Sequence, residues 1–300
     1  MPSPALAGTH VAIVTPLRGD GGIDWAAWSR LLDWHAASGT QGVVVGGTTG
    51  ESPTVTAEEL LELTRRARAQ IAGRMQLIVG CGSNDTATTV ARVRAFSNEG
   101  VDGLLLATPA YNKPMQQGLY LHFEAAAAAA SVPLILYNVP SRTAVDMLPE
   151  TVARLAQLPR IVAIKEAVPD MARIRALLTQ CPAGFCVLSG DDATACAAIA
   201  QGAHGVISVT ANVAPAAMSQ MVGAALHGDM ARARELDARL SGLHEKLFVE
   251  TNPIPVKWAL ERMGMMRGQL RLPLTPLSQR HFAVVESALA QAGVPLAAAA

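Results

Sequence analysis

Short runs of apolar, mostly β-branched residues alternate along this chain with stretches in which apolar positions recur every three or four residues. The runs cover residues 10–15, 41–45, 76–80, 103–107, 133–137, 161–165, 185–189 and 205–209. Each is nearly continuous in apolar character, which predicts strands buried on both faces. Between them the spacing is helical. Trp25, Trp28, Leu31 and Leu32 share one face of a helix starting at Asp24, and Leu60, Leu63, Ala67 and Ile71 do so after a capping box at Thr56 and Glu59, with Gly73 as the stop. Eight strands, seven helices between them and an eighth helix at residues 215–226 predict a parallel sheet. Eight such units in about 225 residues predict a closed barrel, because an open doubly wound sheet more often carries about five or six parallel strands.

The strand pattern stops after Gly228, and helical spacing takes over at residues 229–248, 254–263 and 276–291. The expected architecture is therefore α/β, a (β/α)8 TIM barrel with a C-terminal helical extension. Residues 1–228 form the catalytic barrel and residues 229–300 a helical appendage packed on it or on a neighbouring subunit. The closing alanines are expected to fray.

Composition narrows the function. With 300 residues, half of them hydrophobic, and 24 basic against 24 acidic side chains, the chain can bury a large core and has no basic excess for nucleic acid or a membrane surface. No apolar run reaches the length of a membrane span, and the N-terminal ten residues lack the pattern of a signal peptide. Cys81, Cys181, Cys186 and Cys196 form neither CxxC pairs nor a disulfide framework, which predicts a reducing cytoplasm. The histidines show no HxH or HExxH spacing, so no metal is expected, and His204 reads as a hydrogen-bonded strand residue. After the third strand, Asp85 stands where a dinucleotide fingerprint needs its third glycine, and no nicotinamide cofactor is expected. Ser189-Gly190-Asp191-Asp192 reads as a strand end capping the next helix, with carboxylates that satisfy backbone N–H groups.

One residue does not fit a buried strand. Lys165 ends the apolar run at 161–165, and period two places it on a face with Ile161 and Ala163, opposite Val162, Ile164 and Glu166. In enzymes that use a buried lysine, desolvation disfavours the ammonium and frees the amine to attack a carbonyl. The alternative is a lysine that snorkels to solvent at the strand end. The chain has only four lysines beside twenty arginines, and other unusual residues collect at the same ends of the predicted strands. Gly46-Gly47-Thr48-Thr49-Gly50-Glu51 follows strand two and offers backbone N–H groups and hydroxyls to a carboxylate. Tyr111 follows strand four. Tyr137 ends strand five on the face of Pro133 and Ile135, ahead of Ser141-Arg142-Thr143, and its phenol could shuttle protons for a neighbouring amine. A structural role remains the alternative for both tyrosines.

GTTGES from Gly47, YNVPSRT from Tyr137, IKEA from Ile164, SGDD from Ser189, GVISVTANV from Gly205 and FVETNPIPVKWAL from Phe248 resemble the dihydrodipicolinate synthase family, over residues 12–293. The resemblance implies condensation of pyruvate with L-aspartate 4-semialdehyde in lysine and diaminopimelate biosynthesis, with no metal or organic cofactor, in a homotetramer built as a dimer of dimers or in a homodimer. It implies Lys165 as the imine-forming lysine, Tyr137 as the proton-transfer tyrosine, and Thr48 and Tyr111 as its relay partners, Tyr111 donated across a tight dimer interface. It further implies Thr48 and Thr49 in the cradle for the pyruvate carboxylate, Arg142 on the semialdehyde carboxylate, and Gly190 and Ile207 lining the pocket. The chain departs from the family where its lysine-inhibited members bind lysine. Ala57, Leu60, Thr88 and Ala110 replace histidines, a glutamate and a tyrosine, and only Ser52 and Asn84 are kept, which predicts weak or absent inhibition by L-lysine. Other readings of the same residues are a different pyruvate aldolase, such as an N-acetylneuraminate lyase or a keto-deoxy sugar acid aldolase, a non-catalytic carboxylate sensor, and an assembly subunit.

Overall fold

A computed structural model describes residues 6–297, so the last of the closing alanines lie outside the described residues. In chain order the elements are β1 (Gly8–Ala12), α1 (Trp25–Ala37), β2 (Gly42–Val45), α2 (Ala57–Ile71), β3 (Gln76–Gly80), α3 (Thr86–Ser97), β4 (Gly103–Ala107), α4 (Gln116–Ala129), β5 (Leu134–Asn138), α5 (Pro140–Thr143), α6 (Pro149–Leu155), β6 (Ile161–Glu166), α7 (Met171–Gln180), β7 (Cys186–Ser189), α8 (Asp192–Ala200), β8 (Gly205–Ser208), α9 (Pro215–Leu226), α10 (Met230–Lys246), α11 (Ile254–Arg262) and α12 (Phe282–Gln291). The eight strands are parallel and close into a barrel in sequence order, β8 pairing with β1.

Strand alternation divides the core into two layers. One set, including Val44, Ile78, Leu105, Ile135, Ala163 and Ile207, fills the barrel interior. The other, including Val43, Val79, Leu104, Leu136, Ile164 and Val187, packs against the surrounding helices. Both faces of each strand are apolar for that reason. Asp24 caps α1 by accepting from the Ala27 N–H, and Thr56 with Glu59 forms the capping box of α2. Asp85 caps α3. The starts at Asp24 and Thr56 are those the spacing predicts, whereas the cap at Asp85 was not foreseen.

Four expectations need correction. The first strand ends at Ala12 and not at residue 15, because the Val14 N–H turns away from the sheet to the side-chain oxygen of Asn212, and the Thr15 hydroxyl donates to the Gly50 carbonyl. In β6 the alternation is broken by a register shift: Leu134 pairs with Ile161 but Ile135 with Ala163, so Val162 is an extra residue. Ile161 consequently packs in the outer layer, and Val162 joins Ala163 against the barrel interior, on the side to which Lys165 turns. A short helix not foreseen, α5, follows β5 and carries Ser141 and Arg142. The last helix begins at Phe282, preceded by a 3-10 turn over Gln279–His281, whereas spacing put its start at residue 276.

The C-terminal helices lie on the barrel. α10 packs against α8, α9 and α12, and the Trp258 and Phe282 rings stack at 4.7 Å between α11 and α12. A buried ion pair fastens α11 to the loop after β2. Lys257, wholly buried, meets Glu51 Oε1 at 2.5 Å, and the other Glu51 oxygen accepts from the Arg271 N–H at 3.1 Å. Arg271 also reaches Glu59 and the carbonyls of Gly21 and Thr54, tying three loops of the same barrel end together.

Candidate active site

Tyr137 and Lys165 are register partners on β5 and β6, and both side chains turn inward. Lys165 is 5% exposed, and its Nζ lies 4.4 Å from the centroid of the Tyr137 ring, over the ring face. Among the described residues no carboxylate pairs with Lys165. The amine therefore sits in a largely dry site without the counter-ion that Glu51 gives the other buried lysine, Lys257, whose pKa burial pulls down against the pull of Glu51. Gly190 makes room for the lysine stem. A Cβ there would stand 3.0 Å from Cγ and Cε of Lys165 and from Cβ of Ala167.

On the opposite face of the same two strand ends, Asn138 and Glu166 form a polar lock. The Asn138 amide donates to both Glu166 oxygens and to Asp146, and Arg173 donates to Glu166 Oε2 and Asp146 Oδ1, each at 2.7 Å. Burial pushes the Glu166 carboxyl up, while Arg173 and Asn138 pull it back. Tyr137 and Lys165 are thereby held at a fixed separation by their chain neighbours.

A cavity of about 220 Å³ opens over the lysine. Thr48, Thr49, Tyr137, Arg142, Lys165 and Gly190 line it, together with Ser141, Asp191, Phe248 and Asn252. Besides Lys165, its ionisable Arg and Asp lining groups are Arg142 and Asp191, and the Arg142 guanidinium is suited to a substrate carboxylate. A second cavity, about 500 Å³, shares Gly47, Thr48, Leu105 and Tyr137 with the first and runs outward past Ser52, Ala57, Leu60, Asn84 and Ala110.

Two expected site residues line neither cavity of this chain. Ile207 is buried in the barrel interior beneath the cavity and is not part of its lining. Tyr111 is 90% exposed, in a left-handed backbone conformation (φ 74°), and touches neither cavity of its own chain. Phe248 and Asn252 escaped the sequence reading although they lie in a motif it quoted, because helical spacing carries no sign that the appendage reaches over the barrel mouth. Of the neighbouring acids, Asp192 accepts from the Val209 and Thr210 N–H groups and Asp191 caps α8, as expected of them. His204 accepts from the Val187 N–H. The cysteines are free, and burial pushes the Cys81 and Cys186 thiols up to about 12, which removes them as competing nucleophiles. Among the described residues no group of three or more His, Cys, Asp or Glu could hold a metal ion, and no helix is long and apolar enough to cross a membrane.

A family model described as the dihydrodipicolinate synthetase family matches residues 5–292. The chain belongs to the dihydrodipicolinate synthase family. A 4-hydroxy-tetrahydrodipicolinate synthase of Azoarcus sp. (strain BH72) is 50% identical over 289 residues, 96% of this chain and 99% of that protein. The chloride-inhibited dihydrodipicolinate synthase of Acinetobacter baumannii, solved with pyruvate bound, is 44% identical, covers 97% of this chain and all of its own, and superposes with a TM-score of 0.95. A monomeric variant of a dihydrodipicolinate synthase is 39% identical, with 97% of this chain and 98% of that one covered and the same TM-score. Membership of the dihydrodipicolinate synthase family thus extends over nearly every described residue.

Proposed function

We propose that Lys165 is the imine-forming nucleophile of this enzyme, with Tyr137, Thr48 and Tyr111 as its proton-transfer partners, Thr48 and Thr49 on the pyruvate carboxylate, and Arg142 on the carboxylate of the aldehyde. The chain is a lyase-type enzyme, and its reaction is that of its 4-hydroxy-tetrahydrodipicolinate synthase relatives in lysine and diaminopimelate biosynthesis. The observation that carries the site reading is a buried amine without a counter-ion, lying against a tyrosine ring at the floor of a cavity that Arg142 also lines.

The chemistry follows from that placement. The neutral amine of Lys165 attacks C2 of pyruvate, and the Tyr137 phenol moves the protons needed to expel water. The resulting imine draws electrons from the methyl group, which loses a proton to give an enamine. Arg142 presents a planar pair of donors to the carboxylate of L-aspartate 4-semialdehyde, holding the aldehyde for attack by the enamine carbon. The substrate's own amine then displaces Lys165 as the ring closes.

Four finer readings belong to the same proposal. The exposure of Tyr111 supports its donation to the site of a second copy, in a homodimer or a homotetramer. Residues 229–300 serve the barrel of residues 1–228 as an appendage that lends Phe248 and Asn252 to the cavity. The unpaired cysteines and charge balance support a cytoplasmic location. The outer cavity, which gathers Ser52, Ala57, Leu60, Asn84 and Ala110, presents no carboxylate to a lysine ammonium, and Arg92 on its wall would repel one. A coupled assay of the purified protein tests the substrate and lysine readings. Turnover is expected with pyruvate and L-aspartate 4-semialdehyde but not with sugar-derived aldehydes, and L-lysine up to a millimolar should leave the rate within about twofold. Faster turnover of a sugar acid, or half inhibition well below a millimolar, would contradict the respective reading.

A further inference from the structure

Thr49 and Arg142 come from different barrel loops, after β2 and after β5, yet both meet one residue of the C-terminal segment. The Asn252 side chain donates from Nδ2 to Thr49 Oγ1 at 3.0 Å, and its main-chain carbonyl accepts from Arg142 Nη2 at 3.4 Å. Asn252 is 5% exposed and lines the Lys165 cavity, and its Oδ1 is buried without a hydrogen-bond partner. A hydroxyl oxygen that accepts from an amide keeps its own hydrogen to give. Thr49 is thereby turned into a donor, as an acceptor-only carboxylate requires. The geometry also fixes where Asn252 can go. Five residues on, Lys257 is pinned to Glu51, two residues beyond Thr49, so α11 with the turn before it is joined to the loop after β2 by two rungs, 49 to 252 and 51 to 257.

We propose that Asn252 is a positioning residue for both substrates, holding the Thr49 hydroxyl as a donor toward the pyruvate carboxylate and steadying the guanidinium of Arg142 that receives the second carboxylate. The C-terminal helices then couple the two subsites through a single side chain and its carbonyl. This rests on the reading that Thr49 and Arg142 hold the two carboxylates.

The test is steady-state kinetics on the full chain with Asn252→Ala, Asn252→Asp, Thr49→Val and the Thr49→Val/Asn252→Ala pair, each checked by thermal melting. Asn252→Ala is expected to raise KM for pyruvate roughly tenfold with a smaller change in kcat, and to raise KM for the aldehyde as well. Asn252→Asp keeps the shape but can only accept, so it should take the Thr49 hydrogen, place a negative charge beside the substrate, and raise pyruvate KM further than Asn252→Ala. In the pair, the two changes should not multiply, because each removes the same interaction. Multiplying effects, or an Asn252→Asp variant milder than Asn252→Ala, would overturn the proposal while leaving the site reading intact. Thr49→Val with unchanged pyruvate KM would instead refute the carboxylate cradle, and the proposal with it. Should Asn252→Ala fail to fold, the near-isosteric Asn252→Asp decides alone: pyruvate KM unchanged from the parent overturns the proposal.

Discussion

At the scale of single residues, the site depends on what is small as much as on what is reactive. Gly190 is the clearest case, because a methyl there would stand 3.0 Å from two carbons of the Lys165 stem, tighter than ordinary contact. The lysine would have to change rotamer, moving its nitrogen off the Tyr137 ring. Gly190→Ala is expected to lower kcat/KM at least about tenfold, since a misplacement on the order of 1 Å is costly for a reacting atom, while changing the melting temperature little. A variant with parental kinetics would show that the lysine reaches its position by another path. Sequence reasoning found Lys165 because an ammonium at the end of an apolar strand is an anomaly that burial makes expensive. It could not find Asn252, which is an unremarkable amide in a turn until the fold carries it to Thr49.

At the scale of elements, strands and barrel helices were legible in the chain because each obeys a local rule, a continuous apolar run or an apolar face with a cap. The misplacements fall where a long-range partner overrides that rule. Asn212, nearly two hundred residues away, captures the Val14 N–H and ends β1 early, and the extra residue in β6 is set by pairing with β5 rather than by composition. The link between α11 and the loop after β2 was likewise invisible, although it engages Lys257, one of only four lysines. Lys257 is wholly buried and Glu51 is 2% exposed, in a left-handed conformation at φ 57°. Removing one partner leaves the other charge stranded. Lys257→Met should therefore destabilise the fold by about 3–5 kcal/mol, and the Glu51→Gln/Lys257→Met pair should recover part of that loss. Denaturant unfolding measures both, and a Lys257→Met variant as stable as the parent would show that the pair does not fasten the loop.

For the molecule as a whole, closure of the barrel sets Tyr137 and Lys165 side by side, and the appendage closes one wall of the cavity above them, but Tyr111 is left facing solvent. The role proposed for Tyr111 requires a second copy, because the residue points away from the cavity of its own chain. Tyr111→Phe alone should cost roughly a hundredfold in rate, and Lys165→Arg alone should be inactive. Mixed oligomers of the two variants should regain activity, because the Lys165→Arg subunit can still donate its tyrosine to the intact lysine of the other. A mixture no more active than the sum of its parts would place the tyrosine's role within one chain or remove it altogether. The covalent step itself is read most directly by mass spectrometry of the intact protein after pyruvate and borohydride. The expected product is one adduct per chain, the mass of a pyruvate less one water plus two hydrogens, mapping to Lys165 and lost in Lys165→Arg. An unmodified chain, or an adduct that persists in Lys165→Arg, would contradict the account.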